Sequence, residues 1–140
     1  MENKQAIKGT ITSLKCGKFT YEYFLSHFES TKVDAICFEI YDENEPAAKK
    51  YSFILEVMDN GTDLKVMDMF ASDYKGRGIS IPMILKSKEL FGKRIISSSN
   101  KHKSRPGEMN WEEGIKKVWE PMVAQGLAAY NPIDDRYYVL

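Results

Sequence analysis

Phe70-Ala71-Ser72-Asp73-Tyr74-Lys75-Gly76-Arg77-Gly78-Ile79-Ser80 joins a run with strand character to a run with helical character, and interleaves two glycines with two cations. The first N–H groups of a helix have no intrahelical partner, and the aligned peptide dipoles add partial positive charge at the same end. Gly76 and Gly78 have no Cβ, so an anion can come close to the backbone, and Lys75 and Arg77 supply mobile charge. The chemistry this predicts is a bound phosphate or pyrophosphate. No Lys-Ser/Thr pair closes a Walker loop and there is no Gly-x-Gly-x-x-Gly, so neither common nucleotide motif applies. A Gly-x-Gly between basic residues also serves as an ordinary surface turn, and its flanks decide between the two readings.

Upstream, three strand signals stand close together. Val33–Tyr41 is rich in β-branched and aromatic residues, and Tyr51–Met58 alternates, with Tyr51, Phe53, Leu55 and Val57 on one face. Asp59-Asn60-Gly61 is a hairpin signal, because Asn-Gly accepts positive φ at both central positions. Leu64–Ala71 is the return strand, with Leu64, Val66, Asp68 and Phe70 on one side, so residues 33–71 read as an antiparallel meander. Downstream, Ile79–Phe91 carries Ile81, Ile84, Leu85 and Phe91 in a helical stripe, with Pro82 tolerated in its first turn and Gly92 in the C-cap position. Arg94–Ser99 is a short buried strand. Strand, helix and strand with brief links make a βαβ unit, which places Arg94–Ser99 parallel to Leu64–Ala71 by a right-handed crossover.

The rest of the chain is less sharply marked. Residues 5–14 read as a first strand. Phe19–Phe28 has apolar residues at 21, 24, 25 and 28, the spacing of one helical face, with His27 beside it. Asn100–Met109 is a basic loop, either a solvated connector or a clamp on phosphates or an acidic substrate. Asn110 with Glu113 resembles a capping box, and Trp111, Ile115, Val118, Met122 and Val123 mark a helix ending at Gly126. Pro121 inside it removes one backbone bond and should kink the last turn. Ala128–Asn131 and Arg136–Leu140 are two short strands about a Pro-Ile-Asp-Asp turn.

The 140 residues suit one domain spanning 1–140, and an apolar fraction of 43% with 29% charged residues is that of an ordinary soluble protein. Twenty basic residues balance twenty acidic ones, so no global field favours nucleic acid, and the basic loop has no stacking aromatic among its own residues. Cys16 and Cys37 are too few for a disulfide framework or a metal site. No apolar run reaches membrane-spanning length and the first residues lack the pattern of a signal sequence, so a cytoplasmic protein that engages no membrane is expected.

The order strand, helix, three-strand meander, glycine turn, helix, strand, helix, hairpin resembles the GNAT superfamily of acyl-CoA-dependent N-acetyltransferases. That family carries Arg/Gln-x-x-Gly-x-Gly/Ala at this junction, where the chain has Lys75-Gly-Arg-Gly-Ile-Ser80, preceded by Asp73-Tyr74. The resemblance implies an α+β fold: a mixed, mostly antiparallel sheet with a splayed parallel central strand pair, flanked by helices. It also implies acetyl-CoA as cosubstrate, with Met69, Phe70 and Ala71 lining the pantetheine arm and Lys75, Gly76, Arg77, Gly78, Ile79 and Ser80 holding pyrophosphate. Lys75 stands where the family has Arg or Gln, and Ser80 where it has Gly or Ala. The tyrosine that many members place on the penultimate helix has no counterpart, since Trp119 and Met122 occupy that neighbourhood.

Acetyl transfer to an amine needs a neutral amine, a polarised thioester carbonyl and a leaving thiolate. Asp68 is the candidate base, with Glu56 on the preceding strand as a second; Tyr130, or Tyr138, is the candidate acid. Ser97, Ser98 and Ser99 end the fifth predicted strand close to the thioester position. The implied activity is direct transfer of an acetyl group from acetyl-CoA to a primary amine of a small molecule or protein, by a monomer or homodimer. The alternative is a non-catalytic module binding CoA or a protein partner, with nucleic-acid binding through Lys101, His102, Lys103 and Arg105 as a third reading.

Overall fold

The computed structural model describes residues 7–14, 17–29, 32–44, 50–68, 78–105 and 107–140, with Asp68 described in its backbone alone. The fold is mixed α+β. One eight-stranded sheet runs β1 (Ile7–Ser13), β2 (Gly17–Phe28), β3 (Val33–Tyr41), β4 (Tyr51–Val57), β5 (Asp63–Asp68), β6 (Arg94–Ile96), β8 (Arg136–Val139), β7 (Ala128–Asn131) in spatial order. Every neighbouring pair is antiparallel except β5 and β6. Helix α1 (Ser80–Phe91) makes the crossover between those two. The parallel βαβ unit is therefore as the sequence predicts, and the terminal hairpin inserts β8 beside β6.

Phe19–Phe28 is a strand and not a helix. Tyr21 is buried, but Leu25 is 70% exposed, so residues 21, 24, 25 and 28 do not form one buried face. Phe19 and Tyr21 are buried and Tyr23 packs against the core, a period of two. Pairing with β1 on one side and β3 on the other fixes this outcome, from Ile7↔Tyr23 to Ser13↔Gly17 and from Thr20↔Tyr41 to Phe28↔Val33. Aromatic and β-branched residues fit such a pleated surface better than a helix.

The Tyr51, Phe53 and Leu55 alternation holds, and all three are buried. Their face of the sheet also carries Phe38, Ile40, Leu64 and Val66, and receives Ile81, Met83 and Ile84 of α1. Phe91 of α1 meets the rings of Tyr23 and Phe38 edge-on, at 5.3 and 6.2 Å between centroids. The turn after β4 differs in detail from the Asn-Gly expectation. Among its described residues Gly61 alone has positive φ, at 74°, while the Asn60 side-chain oxygen accepts from Thr62 N at 3.0 Å and Asp63 N at 3.1 Å. Asn60 thus closes the turn through its side chain.

A second helical stretch runs Glu112–Gly114, Ile115–Trp119 and Glu120–Ala124, and its middle segment is a five-residue π turn. Pro121 explains it: with no N–H to give, the proline sits at the start of a fresh α turn, and the preceding backbone widens so that Glu120 N bonds Ile115 O. The distortion lies just ahead of the proline, where the sequence placed it in the last turn. It sets Trp119 fully inside the core, stacked on Tyr137 at 5.8 Å. The Asn110 cap is not formed. Asn110 instead exchanges bonds with Asn100, donating its N–H to Asn100 Oδ1 at 2.9 Å and accepting at its carbonyl from Asn100 Nδ2 at 3.0 Å.

Candidate functional site

Met69, Phe70, Ala71, Lys75, Gly76 and Arg77 lie outside the described residues. Gly78, the next residue of the turn, has φ 71°, a left-handed conformation that side chains resist. A Cβ there would stand 3.0 Å from Leu14 Cβ and 3.2 Å from Leu14 N. Leu14 N donates to Gly78 O at 3.1 Å, so the end of β1 is laid against the turn. Glycine is needed here by backbone approach within the protein itself. We expect Gly78→Ala to cost about 1–2 kcal/mol of strain in urea unfolding, before any contact with Leu14 is counted; unchanged stability would show that the turn relaxes freely.

Among the described residues no side chain caps α1, whose N-cap is Ile79, and no acidic residue stands in its first turn. Ser80 Oγ lies 3.0 Å from the Tyr51 hydroxyl. Among the described residues the N–H groups of Ser80 and Ile81 receive no side-chain cap, and Pro82 has no N–H.

The parallel ladder of β5 and β6 is short, covering Asp63↔Arg94, Leu64↔Ile95 and Lys65↔Ile96. Beyond it Val66 O accepts from Ser98 Oγ at 2.7 Å, a side chain standing in for the strand. At the same level the β4–β5 register slips: Leu55 pairs Val66, whereas Ile54 pairs Asp68. Met67 is the extra residue of this bulge, and one extra residue reverses strand alternation. In the backbone register Asp68 falls in line with Ile54 and Glu56, and not with Leu64 and Val66 as simple alternation predicts.

On that side of the sheet lies a buried ionic cluster. Lys65 is 0% exposed, and its Nζ lies 2.6 Å from Glu108 Oε1 and 3.1 Å from Glu56 Oε1, and also donates to Ser104 Oγ. Glu108, likewise 0% exposed, accepts from Ser99 N at 2.6 Å, Ser104 N at 2.8 Å, Ser104 Oγ at 2.9 Å and Arg136 Nη1 at 2.8 Å. Burial opposes its ionisation more than any single bond favours it. The Lys65, Ser99, Ser104 and Arg136 donors together prevail and hold the carboxyl down to about 2. Arg136 also donates to the carbonyls of Ser97 and His102, both at 2.8 Å. Arg105 Nε donates to Glu56 at 3.2 Å.

Glu56 is thus bracketed by Lys65 and Arg105. Tyr130 lies on the terminal hairpin and donates to Asp135 Oδ1 at 2.7 Å, a bond that raises the phenol above its ordinary range. Tyr138 lies opposite Ile96, with the Arg94 guanidinium 5.7 Å from its ring centre. Ser97, Ser98 and Ser99 are buried and each hydroxyl has an internal acceptor: Ser98 O, Val66 O and Asp135 Oδ2.

The C-terminal ends of β5 and β6 and the N-terminus of α1 lie at one end of the sheet, and there Asp135 of the β7–β8 turn binds the start of the 99–109 loop. Open sheets with parallel strands bind ligands outside such strand ends. Lys65, Glu108 and Arg136 escaped the sequence reading because they are far apart in the chain. The traceable signals were one lysine between Leu64 and Val66 and one glutamate in a basic loop. Among the described residues no cluster of His, Cys, Asp or Glu could hold a metal ion, and no helix is long and apolar enough to cross a membrane. No family model, curated protein or solved structure matches the chain.

Proposed function

We propose that the chain is a GNAT-like N-acetyltransferase that moves an acetyl group from acetyl-CoA to a primary amine of a small molecule or protein by direct attack. The observation that carries this reading is the β5–α1–β6 junction. A parallel ladder stops after three residue pairs, a bulge turns the backbone beside it, and a helix N-terminus without a side-chain cap opens at the same end. Backbone groups released by a bulge need partners, and an extended ligand can supply them.

Acetyl-CoA, when bound, supplies the activated acetyl group. The N–H groups of residues 75–80 would hold its phosphates, with Lys75 and Arg77 adding charge, and Met69, Phe70 and Ala71 would flank its arm. Asp68 would take the proton from the acceptor amine, directly or through water. Tyr130 remains protonated while Asp135 accepts its hydrogen bond, and would return a proton to the leaving sulfur. The backbone of β5 would polarise the carbonyl, as fixed dipoles do for developing negative charge.

A second reading, a CoA-binding module without catalysis, is favoured by two specific features. Glu56 is tied to Lys65 and Arg105, and Trp119 is buried against Tyr137 where many family members have a proton donor.

The test is acetyl-CoA titration by calorimetry and thermal shift, followed by thiol release over a panel of amines and peptides. Ligand at about 100 times its Kd should stabilise the fold by about 2.7 kcal/mol. No binding at millimolar acetyl-CoA removes both readings. Binding without thiol release favours the module. With an active acceptor, Asp68→Asn should lower kcat/KM by about 10²- to 10⁴-fold while acetyl-CoA affinity stays unchanged.

A further inference from the structure

The 99–109 loop is basic, and its backbone is held from several directions. Asp135 Oδ2 accepts from Asn100 N at 3.0 Å and Lys101 N at 3.2 Å, and Ser99 Oγ accepts from Lys101 N at 3.1 Å and His102 N at 2.9 Å. Arg136 binds the His102 carbonyl and Glu108 binds Ser104 N. A loop fixed this thoroughly presents its side chains in a set arrangement, with little ordering entropy left to lose on binding.

Those side chains are basic and open. Lys101, His102 and Lys103 are exposed, and among the described residues their side chains make no ion pair or hydrogen bond. The nearby carboxylates are engaged elsewhere. Glu56 and Glu108 face buried cations, Asp135 binds Tyr130 and the loop backbone, and Glu112 and Glu113 pair with Lys116 and Lys117 along their helix.

The reciprocal Asn100–Asn110 bonds close the neck of this loop, and Trp111 follows Asn110 directly in the chain. Trp111 is 72% exposed, whereas the other tryptophan, Trp119, is fully buried. A large exposed aromatic beside unpaired cations is a combination that an ordinary solvated loop does not need.

We propose that the rim formed by Lys101, Lys103 and Trp111 binds single-stranded nucleic acid, with phosphates on the lysines and a base stacked on the indole. Single strands offer negative charge and a free flat face together; a duplex hides its bases, and an acidic peptide supplies charge without the face. The aromatic whose absence counted against this in the loop's own sequence is provided by the next segment, through the Asn100–Asn110 clamp. The neutral whole-chain charge confines the attraction to this rim. The surface is independent of acetyl transfer.

The test is fluorescence anisotropy of a labelled oligothymidylate of about ten nucleotides at low salt. Binding should weaken with salt at a log–log slope of about 1.4, two contacts at about 0.7 each. The Lys101→Gln/Lys103→Gln pair should abolish that slope, and Trp111→Ala should weaken binding by about 5- to 100-fold. All three side chains are exposed, so thermal melting of the variants should match the parent. The proposal is overturned by no anisotropy change up to about 0.1 mM protein or by unchanged affinity in either variant. It is also overturned if an oligoglutamate peptide displaces the oligonucleotide as effectively as unlabelled oligothymidylate, which assigns the rim to an acidic protein.

Discussion

Replacing Glu108 by Gln should destabilise the fold by about 3–5 kcal/mol, the range seen when one partner of a buried ion pair is removed. Glu108 accepts from Lys65, Arg136, two backbone N–H groups and the Ser104 hydroxyl. A glutamine amide offers one acceptor oxygen and turns two donors toward groups that are themselves donors. It also leaves Arg136 with carbonyl acceptors alone and Lys65 with Glu56 as its remaining counter-charge. The pH dependence is a second readout. The Glu108 carboxyl titrates near 4.5 when unfolded and at about 2 in the fold. In that window the unfolded state binds more protons, so this contribution is complete above pH 4.5 and is lost as pH falls toward 2. Urea unfolding across the window should show a shallower decline for Glu108→Gln than for the parent. Equal slopes would remove Glu108 from its place at the centre of the cluster.

The elements with local signals were legible. Alternation gave β4, the helical stripe with Gly92 gave α1, and their order gave the parallel crossover to β6. In β2, Tyr21, Phe24, Leu25 and Phe28 satisfy a helical spacing by coincidence, and the deciding contacts come from β1 and β3. The Asn110 cap failed for a similar reason: Asn100, distant in the sequence of elements, takes its backbone groups. The bulge at Met67 leaves no mark in composition, yet it moves Asp68 into a different register. The ionic cluster was the least legible feature of all. Lys65 falls on the side opposite Leu64 and Val66, and its burial becomes visible only when Glu108 is folded back over it.

That cluster lies between the end of the parallel ladder, where the acetyl-transfer cleft is proposed, and the basic 99–109 loop. One flank, at Val66 and Ser98, borders the end of the parallel ladder; the other, at Ser99, Ser104 and His102, fixes the basic loop. A hydrophobic replacement of similar volume could be as stable as the charges, since burying ions is costly before their attraction is counted. What apolar side chains could not do is bind backbone N–H and carbonyl groups of an irregular loop at this many points. Orientation of the 99–109 segment is the property that the charges supply.

Lys65→Met carries the second large effect, and its gap to the parent should narrow on acidification at higher pH than that of Glu108→Gln. In the parent, one ammonium stands between Glu56 Oε1 and Glu108 Oε1. Without it the two carboxylates lie within the sum of those two contact distances, in a site closed to water, each retaining a single arginine. Removal should cost about 3–5 kcal/mol at pH 7. Mutual repulsion then favours protonating one of the pair. A group with a raised folded pKa is stabilising below its unfolded pKa and loses that contribution as pH rises through the folded one. The gap between parent and Lys65→Met should therefore narrow as pH is lowered from 7 toward 5. Adding Glu108→Gln removes the repulsion, so the double variant should be more stable than the sum of the single effects predicts, by about 0.5–3 kcal/mol. Strict additivity, together with a gap that does not change with pH, would mean that Lys65 and Glu108 are neighbours without electrostatic coupling, and the cluster would lose its role in holding the loop.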